Sequence, residues 1–198
     1  MNTSKVWVLI SYICIASLSA AMITPALPQI QASFHLSHGS VASIVSVFLL
    51  GYVIGQLLYG PLANRYNPLN ALRLGLSINI VGIVWCLLAS QSRFYGLLLF
   101  GRFITALGAA SGLACTFMLL HELLPATRVK HALAYTIVAF TLGIGLAVLI
   151  GGVITEYFAW QYCFIVLLVH GVVMLVLTWI FPSPNHQAKA IKLASLLH

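Results

Sequence analysis

Acidic side chains are almost missing from this chain: Glu122 and Glu156 are the only two. Charge of either sign is scarce, at 6% of 198 residues, while apolar residues make up 62%. That balance excludes a soluble domain, because so few charges could not solvate the surface of a fold this size. The four cysteines, Cys14, Cys86, Cys115 and Cys163, show no metal-ligand spacing and read as small apolar fillers. The sequence holds neither a phosphate loop nor a metal-ligand cluster. No cofactor, metal or ATP-coupled chemistry is therefore expected.

The formal charge of +7 would suit a nucleic-acid partner if it were clustered, but the basic residues are scattered among apolar runs. Such placement fits membrane topology and not phosphate binding. Six apolar stretches fill the chain, at residues 6–25, 41–60, 71–89, 94–120, 132–154 and 164–181. About 20 apolar residues at a rise of about 1.5 Å each cross about 30 Å of hydrocarbon, so each stretch is long enough for one span. Residues 1–181 are thus expected to form an all-α bundle of six transmembrane helices embedded in the lipid bilayer. Residues 182–198, with Pro182 and Pro184 among scattered polar residues, read as a cytoplasmic tail or a truncated central linker.

Lys5, an apolar run and Ser19-Ala20-Ala21 together resemble a secretory signal. The run continues through Met22 and Ile23 and five more spans follow, so an uncleaved first helix is expected. With a cytoplasmic N-terminus, Lys5, Arg65, Arg73, Arg128, Lys130, Lys189 and Lys192 fall inside and Arg93 alone outside. The asymmetry puts both termini in the cytoplasm. The outer loops would be residues 26–40, 90–93 and 155–163.

Glycine is concentrated on two spans, with Gly51, Gly55 and Gly60 on the second and Gly143, Gly145, Gly151 and Gly152 on the fifth. Lipid supplies no hydrophobic drive between helices, so close backbone approach through small residues carries association. Gly51, Gly55, Gly108, Gly151 and Gly152 are the expected packing positions. The second and fifth spans hold corresponding places in two three-helix halves, as in folds built from inverted repeats.

Gly60-Pro61-Leu62-Ala63-Asn64-Arg65-Tyr66 closes the second span. It resembles the loop G-x-L-a-D-R-x-G-R-R/K of the major facilitator superfamily. Gly51-Tyr52-Val53-Ile54-Gly55-Gln56 and Pro25-Ala26-Leu27-Pro28-Gln29-Ile30 are similar to the drug:proton antiporter branch, particularly its Bcr/CflA-like multidrug efflux members. Arg102-Phe103-Ile104-Thr105-Ala106-Leu107-Gly108-Ala109-Ala110 resembles that branch's fourth-helix motif, and Trp160-Gln161-Tyr162-Cys163-Phe164 its aromatic start to the sixth helix. The resemblance covers almost the whole chain and implies the N-terminal six-helix half of the major facilitator fold. It further implies efflux of small apolar or cationic molecules in exchange for protons across a bacterial inner membrane. By the same resemblance the central cavity would be lined by Tyr12, Met22, Gln56, Arg102 and Thr105, with Gly60, Asn64 and Arg65 in the gating loop. Tyr12 and Met22 serve equally well as packing residues.

The departures from the pattern matter too. Asn64 replaces the loop aspartate, Asn67 its second glycine, and Pro68 and Leu69 its basic pair. Asn64 accepts a hydrogen bond but forms no ion pair, and a type I turn is expected around Asn67-Pro68. Val148 stands at the fifth-helix proline and Ala21 at the first-helix carboxylate. Proton coupling needs a titratable group, and Glu122 and Glu156 lie near helix ends. Arg102 is the one fixed charge deep in a span, either an interhelical clamp or part of a proton or substrate path. His170, in the sixth span, is the other candidate for such a path.

Half a two-bundle machine leaves three routes: a homodimer, a complex with a separate second half, or a truncated remnant without transport of its own. A different class is a six-span intramembrane serine protease, with Ser111 on the fourth span and His170 on the sixth. Ala109 stands where that nucleophile motif needs glycine, which argues against an enzyme.

Overall fold

A computed structural model describes residues 3–181; the expected tail at 182–198 lies outside them. Among the described residues eight α-helices follow one another: α1 (Thr3–Ser11), α2 (Cys14–Ala21), α3 (Leu27–Phe34), α4 (His38–Tyr66), α5 (Pro68–Ser92), α6 (Tyr95–Leu123), α7 (Ala126–Tyr157) and α8 (Gln161–Leu177). A 3-10 turn, Thr178–Ile180, continues α8. Helices α4 to α7 and the run Gln161–Ile180 are each long and apolar enough to cross a membrane, and Val6–Ala21 forms a shorter apolar run.

The first span, expected as one helix, is tightened at its middle. Tyr12 and Ile13 donate their N–H groups to the carbonyls of Leu9 and Ile10, three residues back and not four. Ile15 and Ala16 continue the 3-10 register by donating to the carbonyls of Tyr12 and Ile13, which keeps these backbone groups paired away from hydrocarbon. The expected outer loop at 26–40 also differs, because α3 occupies most of it. Pro28 in the first turn of α3 fits a helix start, Ile30 is buried, and His35 ends the helix in the left-handed conformation.

Helix α6 is the axis of the bundle. It buries many small residues, among them Gly101, Ala106, Gly108, Ala109, Ala110 and Gly112, and α4, α5, α1 and α2 all pack against it. A Cβ at Gly108 would stand 2.2 Å from the Asn79 amide nitrogen and one at Gly82 2.3 Å from that of Thr105, so α5 and α6 touch backbone to backbone. Gly51 and Gly55 do the same for α4, with Cβ positions 2.6 Å from the Phe103 carbonyl and 2.7 Å from that of Leu107. Gly151 brings α7 against the Met22 carbonyl. Gly152, expected beside it, is instead open to space with no atom within 4 Å. One residue further along a helix turns the side chain by about 100°, enough to leave the contact face.

The second helix of each three-helix half packs against the other half's first. Thus α4 lies on α6, while α7 lies on α1 and α2. This exchange ties the two halves into one body. It leaves α4 and α7 with broad apolar faces outward, including Leu49, Val53 and Leu57 on α4 and Leu142, Leu146 and Leu149 on α7.

Candidate functional site

Two apolar layers hold the bundle, separated by a polar waist. One layer gathers Leu9, Tyr12, Ile15, Tyr59, Leu72, Leu76 and Leu119. The other gathers Met22, Ile30, Ile44, Ile83, Leu98, Trp160 and Phe164. Between them in sequence, and buried, lie Ser17 and Ser19 on α2, Asn79 on α5, and Arg102 and Thr105 on α6.

Arg102 sits at the centre of this waist and is only 1% exposed. Its Nη1 donates to the Ser19 carbonyl at 2.8 Å, and its guanidinium lies 4.2 Å from the centre of the Phe48 ring. A charge at mid-bilayer costs about 2.5–3.5 kcal/mol on insertion scales, and the carbonyl and the ring face offset part of that cost. The clamp geometry expected as one of two readings is therefore present, joining α2, α4 and α6. The Nε atom remains buried without a partner. Thr105 donates its hydroxyl to the Gly101 carbonyl at 2.7 Å and offers its own carbonyl to Asn79 Nδ2 at 2.9 Å.

The residues expected to line a cavity lie at several places in the bundle. Arg102, Thr105, Tyr12 and Met22 are all buried between helices of the bundle. Tyr12 belongs to the layer that reaches Phe181, against whose ring it stands edge-on at 6.5 Å. Met22 belongs to the opposite layer. Gln56 is half-buried, and its Nε2 donates to the Ala110 carbonyl across to α6 at 3.3 Å. His170 is half-buried on α8, beside Gly171, which packs on Ile80 and Asn79. Asn79 and the α2 serines were missed by sequence reasoning. The one signal for Asn79 is an amide alone in a long apolar run.

The loop after α4 shrinks to a single residue, Asn67, at φ 89°, in place of the expected type I turn. Its Oδ1 accepts from the Leu69 N–H at 2.9 Å and caps α5. A positive φ favours glycine, which explains why the family pattern has glycine here, and asparagine is among the residues that tolerate it. Asn64 and Arg65 are exposed, Arg65 lying 5.4 Å from the Tyr66 ring centre, and Gly60 has open space around it. Asn67→Ala loses the cap and strains the joint, so thermal unfolding in detergent should show a loss of about 1–3 kcal/mol. Asn67→Gly should stay within about 0.5 kcal/mol of the parent, since relief of strain offsets the lost cap.

At this same end Arg73 ties α5 to the end of α8. Its Nε and Nη2 donate to the Thr178 hydroxyl and carbonyl at 3.2 and 3.1 Å, and it stacks 4.6 Å from the Trp179 ring centre. Ser111, the candidate nucleophile, is fully buried, and its hydroxyl donates to the Gly108 carbonyl of its own helix at 2.8 Å. A serine so enclosed is in no position to attack a peptide.

The family model described as Major Facilitator Superfamily matches residues 9–196. Multidrug resistance protein D of Escherichia coli (strain K12) is 24% identical over 168 residues, covering 85% of this chain and 42% of that protein. The riboflavin transporter RibZ of Clostridioides difficile (strain 630) is 26% identical over 198 residues, covering 96% of this chain and 43% of that protein. Among solved structures, a D-xylose-proton symporter superposes with a TM-score of 0.81 at 16% identity, over 98% of this chain and 51% of the symporter. The chain thus spans less than half the length of these curated relatives and about half that of the matched structure.

Proposed function

The chain belongs to the major facilitator superfamily, and we propose that its bundle forms one wall of a small-molecule efflux path, opposite a second six-helix unit. It is an integral membrane protein of a transporter family, not an enzyme. The observation that carries the reading is the broad outward apolar face that α4 and α7, each packed mainly on the first helix of the other half, leave uncovered. In inverted-repeat transporters, substrate lies between two such bundles, and one rocks against the other. The resemblance to antiporter motifs and the similarity to a multidrug resistance protein support small apolar or cationic substrates. The asymmetry of Arg65, Arg73, Arg128 and Lys130 against Arg93 supports cytoplasmic termini in a bacterial inner membrane.

Proton coupling, on this reading, depends on a carboxylate of the opposite unit. Glu122 and Glu156 stand at the ends of α6 and α7, away from the polar waist. Purified chain alone in liposomes should therefore show no ethidium flux under an imposed pH gradient. Flux above protein-free liposomes would overturn the need for a second unit. In vesicles where export does occur, Arg102→Met should abolish it at an unchanged membrane level of protein, and undiminished export would make Arg102 a clamp only.

A second reading is an assembly partner that moves nothing itself. The residues Asn64, Ala21 and Val148 at the family's loop, first-helix and fifth-helix positions favour it.

A further inference from the structure

A groove of about 220 Å³ runs between α1 and the first turns of α7. Its floor is apolar, from Ile10, Leu124 and Ala132, and its walls include the rings of Trp7 and Tyr135, 5.4 Å apart. Arg128 and His131 form its rim. It lies where the apolar run Val6–Ala21 begins, at the end of the bundle that also carries Arg65, Arg73 and Lys130. It opens on a different flank of α7 from the smaller groove shared with α6, which Leu113, Phe117 and Phe140 line.

We propose that this groove holds an anionic phospholipid, with part of an acyl chain on the apolar floor and the phosphate at Arg128. The amphipathy runs in the required direction. A tail site alone would need no cation, and an ion site would need no apolar floor. Arg128 is exposed, and no hydrogen bond or ring within the described residues engages its guanidinium. His131 adds an imidazole at the rim, its Nδ1 3.4 Å from the Thr127 carbonyl. The exposed aromatic pair is of the kind enriched at headgroup depth, where one ring edge is wet and the other dry. Glu122, at the last turn of α6, is the only acidic side chain at this end, so the local field is positive. Basic residues near an anionic surface attract it by about 1 kcal/mol each.

Trp7 makes the site observable. The full chain is reconstituted in phosphatidylcholine vesicles doped with dibrominated phosphatidylglycerol or dibrominated phosphatidylcholine. The Trp7 signal is the difference in fluorescence between the parent and Trp7→Phe. The phosphatidylglycerol should quench Trp7 at a mole fraction about fivefold lower than the phosphatidylcholine, and Arg128→Gln should remove that preference. Ala132→Phe, which fills the floor and keeps the charge, should weaken quenching by both lipids. Equal quenching in the parent, or a preference retained by Arg128→Gln, would overturn the proposal. Quenching by neither lipid would also overturn it, since a protein segment would then cover the groove.

Discussion

Replacing Gly108 by leucine should prevent the bundle from closing. The Cβ alone would stand 2.2 Å from the Asn79 nitrogen and 2.5 Å from the Gly75 carbonyl, both backbone atoms with nowhere to go. Overpacking a tight core costs about 1–3 kcal/mol when side chains can shift, and a backbone clash at the central helix pair exceeds that. The variant should be lost from the monodisperse fraction in detergent. Gly145→Leu is the control, because nothing lies within 4 Å of that position, and it should fold as the parent does. Normal yield of Gly108→Leu would mean that α5 and α6 do not meet as described.

The second large effect is at Arg102. Arg102→Ala removes the donor to Ser19 and the cation over Phe48, and it leaves a void the size of a long side chain at the waist. Large-to-small changes in a core cost about 2–5 kcal/mol, and thermal unfolding should report a loss in that range. Arg102→Met should behave differently. Replacing a buried charged group by a well-packed apolar one is often neutral or stabilising, by about 1–4 kcal/mol. A variant that folds as well as the parent yet loses export separates a functional arginine from a structural one. Equal destabilisation by alanine and methionine would instead tie the stability to the guanidinium contacts themselves.

The spans were legible because hydropathy over about 20 residues is a direct measure of what lipid accepts. The tightened turn at Tyr12 and Ile13 was not, since an α-helical and a 3-10 register bury the same side chains. Helix α3 was hidden by polar residues such as Gln29, Gln31 and Ser33, which read as a loop. Arg102 announced itself as a lone charge, but its partner is the backbone carbonyl of Ser19, and carbonyls leave no mark in a sequence. The loop departures had a legible logic only in part. Asn67 at the glycine position was visible, while the positive φ that explains both residues required the backbone. Gly151 and Gly152 are adjacent in sequence, and only the facing of α7 on α2 decides which of them packs.

On the proposed assembly, α4 and α7 meet a second six-helix unit through their exposed apolar faces, and the exposed sides of α5 and α8, also open in this bundle, are left to lipid. A photoreactive amino acid placed in native membranes at Leu57 on α4 or Leu146 on α7, and at Val81 on α5 or Val173 on α8, tests it most directly. All four side chains are exposed in this bundle. The proposed assembly predicts a discrete protein cross-link from Leu57 and Leu146, and lipid adducts alone from Val81 and Val173. Lipid adducts from all four positions would contradict it.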